Sequence, residues 1–234
     1  MSSDGLKRSA RGRSIDAAGL AGVLGIVVPA LGLFFVPIWE FPGTDASGAE
    51  IIAFVRDHRA ALQVTMVVNT LGVTLWLVFG AALWVRLRLA AGATSVLPAI
   101  FAVGIASFGT LLLAGFAAMD VLILRPTAAD EAHLLYDLTF GLLAMSGMPT
   151  AIALGAYAAL EHRVHMLGAV SKWLAVAAAA SHLVLLASFI VPRGFFSLEG
   201  QVITVIPGIL WAWILTAGIA MLRHPHEELS REAG

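Results

Sequence analysis

The chain has 234 residues, of which 59% are hydrophobic and only 12% are charged. Soluble domains carry about 25% charged and about 45–50% apolar residues, so the apolar excess indicates membrane-spanning segments. The formal net charge of -1 excludes a general attraction to nucleic acid. The lack of cysteine excludes disulfides, thiolate metal sites and thiol catalysis.

The apolar residues are gathered into long runs, each near or above the about 20 residues that a helix needs to cross the hydrocarbon. The six runs are 17–38, 61–85, 97–124, 134–160, 170–191 and 202–222. We therefore predict an all-α, polytopic membrane helix bundle with six transmembrane helices spanning 17–222. Small residues such as those of the alanine run 177–180 should let the helices approach closely.

Basic residues predict the orientation of the bundle. With both termini inside, ten Lys and Arg residues fall on the cytoplasmic side and four on the other side, which is the bias that membrane insertion produces. The prediction is a multi-pass protein of the plasma membrane. A basic tail, 1–16, and a polar tail, 223–234, would then both lie in the cytoplasm.

A short amphipathic helix is predicted in the first external loop. Ser47 followed three residues later by Glu50 is the pattern of a capping box. One face of the following helix would carry Ile51, Phe54, Val55 and His58. This external helix, between the first two transmembrane helices, is either an interfacial connector or a lid.

Two segments carry a resemblance to known proteins. The external segment FPGTDASGAEIIAFVRDHRAAL (41–62) and the basic end of the second span, WVRLRL (84–89), resemble small six-span bacterial integral membrane proteins of unknown function. The remaining spans resemble them in topology. The resemblance implies the same fold and carries over no functional residues.

Polar residues inside the second and third spans are candidate site residues. Thr65, Asn69 and Trp76 are spaced to share one helical face. An unpaired buried amide costs about 1–3 kcal/mol, so Asn69 must bond either a neighbouring helix or a ligand. In the third span, Thr110 can bond back to its own helix. Asp120 lies roughly one turn from the outer end of that span and is a possible acid or ligand contact.

The loop between the third and fourth spans concentrates ionisable groups. Asp120 could pair with Arg125 at the surface, which is a purely structural interpretation. The fourth helix should begin near residue 128, placing Asp130, His133 and Asp137 on one stripe. That stripe could bind a divalent cation or shuttle protons, but the helix dipole also favours acidic residues at a helix start. We predict no metal and no cofactor.

His182 lies deep in the fifth span, near the bilayer midplane, and should point into the bundle. It is either satisfied by a carbonyl or hydroxyl group, or part of a site. Haem ligation would require a second axial ligand at the same depth, for which only Met145 or Met148 could be named. Tyr136, beside Asp137, is an additional candidate ligand contact.

The predicted topology places Asn69, Asp120, Asp137 and His182 in the outer half of the bilayer. The inner half carries only serines and threonines of comparable depth, such as Ser146. We therefore predict a polar pocket that opens to the extracytoplasmic side or outer leaflet and is lined by the second to fifth spans.

Three functions from different classes fit this pattern. The first is a protein that binds or translocates a small amphipathic or lipidic molecule, with homo-oligomerisation or a partner needed for translocation. The second is an intramembrane enzyme acting on a lipid or isoprenoid, with Asp120 or Asp137 as general acid or base and His182 as partner. The third is a structural or assembly subunit with an Asp120–Arg125 pair and no cavity. Membrane lipids are predicted partners in every case.

Overall fold

A computed structural model describes residues 3–36, 40–43, 45–92, 94–125, 128–191, 195–196, 198 and 202–223, with the backbone alone for residues 3–16 and 204. Eight α-helices follow one another in these residues. They are α1 (Ser3–Gly32), α2 (Gly48–Asp57), α3 (Arg59–Ala91), α4 (Leu97–Leu124), α5 (Ala129–Met145), α6 (Gly147–Val164), α7 (Ala169–Val184) and α8 (Val202–Arg223). A 3-10 turn, Leu185–Phe189, continues α7. The prediction of an all-α bundle is confirmed for the described residues, which contain no strand.

Five helical segments are long and apolar enough to cross a membrane. They are Arg59–Ala91, Leu97–Leu124, Ala129–Val164, Ala169–Phe189 and Val205–Arg223. The first predicted span corresponds to Ala17–Gly32 of α1, which is apolar but shorter. At about 1.5 Å per residue it falls short of a hydrocarbon core of about 30 Å. Helix length and composition therefore indicate an integral, multi-pass membrane protein with five long spans and one shorter apolar helix.

The structure extends the first helix into the predicted basic tail. α1 begins at Ser3, so the backbone of residues 3–16 continues this helix. Residues 224–234, nearly all of the predicted polar tail, lie outside the described residues.

The predicted fourth span, 134–160, consists of two helices. α5 ends at Met145 and α6 begins at Gly147, with Ser146 between them. Pro149 explains the break, because proline has no N–H and its ring clashes with the carbonyl of the residue four positions earlier, here Met145. The Ser146 hydroxyl donates to the carbonyl oxygen of Leu143 at 2.6 Å, which satisfies part of the interrupted backbone.

Six helices form a closed ring in the order α1, α3, α4, α6, α7 and α8, with α8 returning to α1. α5 packs on α4, and α2 packs on α5. We call the end of the bundle that carries α2 the α2 side. The opposite side carries the connections between α3 and α4 and between α6 and α7.

Large apolar side chains are exposed on the outside of the ring, as expected for a surface in contact with lipid. On α1 they form a stripe of Leu20, Leu24, Val27 and Leu31. The interior of the opposite side is filled by buried aromatic rings. Phe79 and Tyr157 each pack edge-on against Trp213, and Phe101 lies against Tyr157.

Candidate functional site

A cavity of about 420 Å³ lies in the α2-side half of the bundle. This volume is within the range of about 300–1,000 Å³ that is typical of small-molecule sites. Six aromatic residues form much of its wall: Phe41, Trp76, Phe108, Phe116, Phe140 and Trp211. Among the described residues that line it there is no Asp, Glu, Lys or Arg.

The wall is broader than the sequence predicted. Residues of the second to fifth spans line the cavity, but Pro29 and Gly32 of α1 and Pro207 and Trp211 of α8 line it too. The prediction of a pocket made by four spans was therefore too narrow. Tertiary packing explains the wider wall. α8 packs against α1, which brings the first and last spans to the same cavity.

Thr65 and Asn69 line the cavity from α3, on the face that their spacing predicts. The Thr65 hydroxyl donates to the carbonyl oxygen of Gly32 on α1 at 3.4 Å. Asn69 forms no hydrogen bond with the described residues, and its amide borders the cavity. Asn69 can therefore offer both a donor and an acceptor to a molecule in the cavity.

Trp76 lines the same wall and is 7% exposed. Its ring stacks on Phe108 with a centroid distance of 5.8 Å and meets the edge of Trp211 at 6.2 Å. Its indole N–H has no acceptor within the described part of the chain. This nitrogen is itself buried and lies on the side of Gly25, where an added Cβ would be 2.9 Å from it, so Trp76 contributes its ring and not its N–H to the cavity wall.

His182 lines the cavity from α7 and is 2% exposed. Its Nδ1 lies 2.8 Å from the carbonyl oxygen of Ala178. A carbonyl only accepts hydrogen bonds, so Nδ1 carries the hydrogen, and Nε2 of the neutral ring is an acceptor. The backbone of His182 lies against Gly147, where an added Cβ would be 2.5 Å from the His182 carbonyl oxygen. The break between α5 and α6 therefore sets how closely α7 approaches.

The other predicted site residues do not line the cavity. Thr110 is exposed, and its hydroxyl donates to the carbonyl oxygen of Ala106 at 2.9 Å. Tyr136 is fully buried and donates its hydroxyl hydrogen to the carbonyl oxygen of Pro42. Met145 and Met148, named as possible haem ligands, are 52% and 41% exposed and do not line the wall either.

Both candidate carboxylates lie outside the cavity wall. Asp120 is half-buried, and within the described residues it forms no ion pair with Arg125. The adjacent Met119 does line the cavity. One residue turns a helix by about 100°, so the side chain of Asp120 is carried off the lining face. Sequence could place Asp120 near the α2-side end of its helix but could not predict which way its side chain is rotated about the helix axis.

Two residues of the stripe on α5, His133 and Asp137, are in contact. The His133 Nε2 and Asp137 Oδ2 atoms are 3.5 Å apart, and the two side chains are 44% and 46% exposed. Asp130 is exposed near the start of the helix. No group of three or more His, Cys, Asp or Glu side chains arranged to hold a metal ion occurs in the described part of the chain.

α2 packs beside the cavity, although none of its described residues lines the wall. The predicted capping box is confirmed: a Glu50 carboxylate oxygen accepts hydrogen bonds from the Ser47 backbone N–H at 2.7 Å and from its hydroxyl at 2.8 Å. The buried Ile51 and Val55 pack into an apolar cluster with residues of α3, α4 and α5. α2 is therefore packed onto the bundle.

Phe41 contacts α2 and also lines the cavity. Its ring lies 5.3 Å from that of Phe54 on α2 and 6.1 Å from that of Phe140 on α5. Phe41 and Phe140 both line the cavity. A movement of α2 would therefore alter the wall directly.

Two charged residues on the opposite side are buried, which the sequence analysis did not predict. Glu161 on α6 is 1% exposed and Arg86 on α3 is 7% exposed. A Glu161 carboxylate oxygen accepts hydrogen bonds from the backbone N–H groups of Leu167 and Gly168, each at 2.7 Å. Both residues lie just beyond the predicted spans 61–85 and 134–160, where α3 and α6 continue and bury them.

Models of protein families, curated proteins and solved structures give no match to this chain. The resemblance to small six-span bacterial proteins therefore stays a prediction. The helices themselves indicate an integral, multi-pass membrane protein.

Proposed function

We propose that this protein binds a small amphipathic or lipidic molecule in the cavity on the α2 side. The observation that carries the proposal is the combination of a volume of about 420 Å³ with an aromatic wall and few polar groups. Ligand sites are typically concave and mostly apolar, with a small number of placed polar groups that fix orientation. His182 and Asn69 supply those polar groups.

Binding is favoured over translocation by the packing below the cavity. Phe79, Tyr157 and Trp213 are almost completely buried, and their rings contact one another in a layer on the opposite side. This packed layer separates the opposite side from the cavity, which lies on the α2 side. If the charge bias sets the orientation, that side is extracytoplasmic.

The two other classes are less well supported. An acid–base enzyme needs a catalytic group within hydrogen-bond reach of its substrate, and neither Asp120 nor Asp137 lines the cavity. The structural subunit requires a closed interior and an Asp120–Arg125 pair. The cavity and the separation of those two side chains in the described residues both argue against it.

A cavity-filling variant tests the proposal. Leu112 of α4 lines the cavity, whereas Val103 of the same helix is 67% exposed on the outer surface. We expect purified protein in nanodiscs to bind the neutral dye N-phenyl-1-naphthylamine saturably, at one dye per protein. Leu112→Phe should weaken this binding at least tenfold, since the added ring occupies the cavity.

The control substitution Val103→Phe adds the same ring on the lipid-facing surface and should leave dye binding unchanged. Dye uptake that is not saturable, or equal losses in Leu112→Phe and Val103→Phe, would show partitioning into lipid and reject the proposal.

A further inference from the structure

The chemistry of the cavity wall restricts the ligand further. We infer that the cavity selects an uncharged molecule whose polar end is a hydroxyl group, an alcohol or phenol on an apolar body, which donates its hydrogen to His182 Nε2. This inference rests on the proposed function and specifies the ligand class of the same site.

Charge is the first restriction. A charged headgroup moved into an apolar site costs far more than a polar one unless an opposite charge meets it. The wall has no Arg, Lys, Asp or Glu among its described residues. Two arginines of the α2 side are engaged elsewhere: Arg56 pairs with Asp57 at 3.0 Å, and Arg59 donates to the carbonyl oxygen of Leu124 at 3.3 Å. Phosphate and carboxylate headgroups are therefore disfavoured.

Hydrogen-bonding capacity is the second restriction. Three hydroxyl groups of the wall already donate to backbone carbonyl oxygens within or between helices. They are Thr65 to Gly32, Thr139 to Leu135, and Ser146 to Leu143. The imidazole differs, because its Nδ1–H is held by Ala178 and this leaves Nε2 with a lone pair. A ligand that can donate a hydrogen bond satisfies Nε2, whereas an ether, ester or ketone cannot.

The apolar body is matched by the aromatic rings. Trp76, Phe108 and Trp211 form one continuous set of stacked and edge-on rings along the wall. Aromatic faces and edges favour flat or unsaturated partners. An isoprenoid alcohol or a ring-bearing phenol fits these contacts better than a saturated chain.

The test compares three ligands of the same body: farnesol, farnesyl methyl ether and farnesyl phosphate. Binding to the full-length protein in nanodiscs is followed by quenching of tryptophan fluorescence, since Trp76 and Trp211 line the cavity. We expect farnesol to bind at least tenfold more tightly than the ether, which lacks the donor, and than the phosphate, which is charged.

A substitution identifies the acceptor. His182→Phe should reduce farnesol affinity about tenfold and leave ether affinity unchanged, so that the two ligands become equal. Thr110→Ala is the control, because the exposed Thr110 hydroxyl bonds to the carbonyl oxygen of Ala106 and does not line the cavity. It should alter neither affinity.

The outcomes separate this inference from the proposed function. Saturable binding of all three ligands with equal affinity, or tighter binding of the phosphate, would keep the binding function and overturn the selection for a neutral hydroxyl. Absence of saturable binding for every ligand would overturn both. The comparison of ligands on the unmodified protein decides the matter even where His182→Phe does not fold.

Discussion

The phenolic hydroxyl of Tyr136 on α5 donates a hydrogen bond to the backbone carbonyl oxygen of Pro42 in the connection between α1 and α2. The two residues are 94 positions apart in sequence, and Tyr136 is fully buried. Phe41, the neighbour of Pro42, lines the cavity. This bond therefore holds the connection between α1 and α2, which contributes Phe41 to the cavity wall, against α5.

Tyr136→Phe should loosen the connection between α1 and α2 from α5. Loss of one hydrogen bond costs about 1 kcal/mol, which corresponds to roughly a fivefold larger open population. The chain has no cysteine, so Ser146→Cys in the cavity wall provides a single reporter. We expect Tyr136→Phe to raise its rate of maleimide labelling about fivefold.

The matched control is Tyr157→Phe, which removes a hydroxyl that contacts the Ser171 hydroxyl at 2.7 Å on the opposite side. It should lower the thermal midpoint without changing the labelling rate. A faster rate in both variants would indicate general loosening of the bundle.

Gly48→Val should separate α2 from α5. A Cβ at Gly48 would overlap the carbonyl oxygen of Ala129 at the start of α5, so any side chain forces the helices apart. We expect faster labelling of Ser146→Cys and a larger effect than that of Tyr136→Phe. Ala49→Val, on the exposed face of the same turn, should have no such effect; equal effects would contradict the close packing.

Acidification should destabilise the start of α2. Hydrogen bonds from the Ser47 hydroxyl and backbone N–H hold the pKa of the Glu50 carboxyl below its ordinary value of 4.5. A lowered folded-state pKa gives stabilisation that is complete above pH 4.5 and is lost as the pH falls through the folded value. A nitroxide attached at Ala49→Cys should therefore become more mobile in acid. In the Glu50→Gln background the nitroxide should already be mobile at neutral pH and should change little on acidification. If the nitroxide in this background responded to acid as it does with Glu50 present, the role of Glu50 would be refuted.

Gly147→Ala should displace His182. The added methyl group would meet the His182 carbonyl oxygen at 2.5 Å, so α7 must shift away from the break between α5 and α6. We expect a fall of at least tenfold in farnesol affinity with the helical content retained by circular dichroism. Gly155→Ala, where a Cβ meets nothing within 4 Å, is the control and should bind normally.

Glu161→Ala should destabilise the opposite side of the bundle. The substitution leaves the N–H groups of Leu167 and Gly168 without their carboxylate acceptor, and each unsatisfied buried donor costs about 1–3 kcal/mol. A drop of several degrees in the thermal midpoint is expected. Glu131→Ala is the control, since the exposed Glu131 accepts only from the Ala128 backbone N–H at 3.3 Å. Equal midpoints in the two variants would exclude a buried role for Glu161.

Features that depend on neighbouring residues were readable from the sequence. Apolar run length identified the membrane spans, and the spacing of Ser47 and Glu50 identified the start of α2. Helical periodicity placed Thr65, Asn69 and Trp76 on one face, and all three line the cavity. The helix break before Pro149 was not predicted, although proline interrupts a helix through local geometry, because the apolar run 134–160 continues across it.

Only the tertiary structure decided which polar residues share a space. Asp120 and Asp137 lie on the α2 side of the bundle but not in the cavity wall, while His182 lines it. The rotation of each helix about its axis follows from packing against its neighbours, and a single residue changes that angle by about 100°. The return of α8 to α1, which completes the wall, depends on contacts between the two ends of the chain. Sequence alone thus determined the class and the local helices of this membrane protein, and packing determined its site.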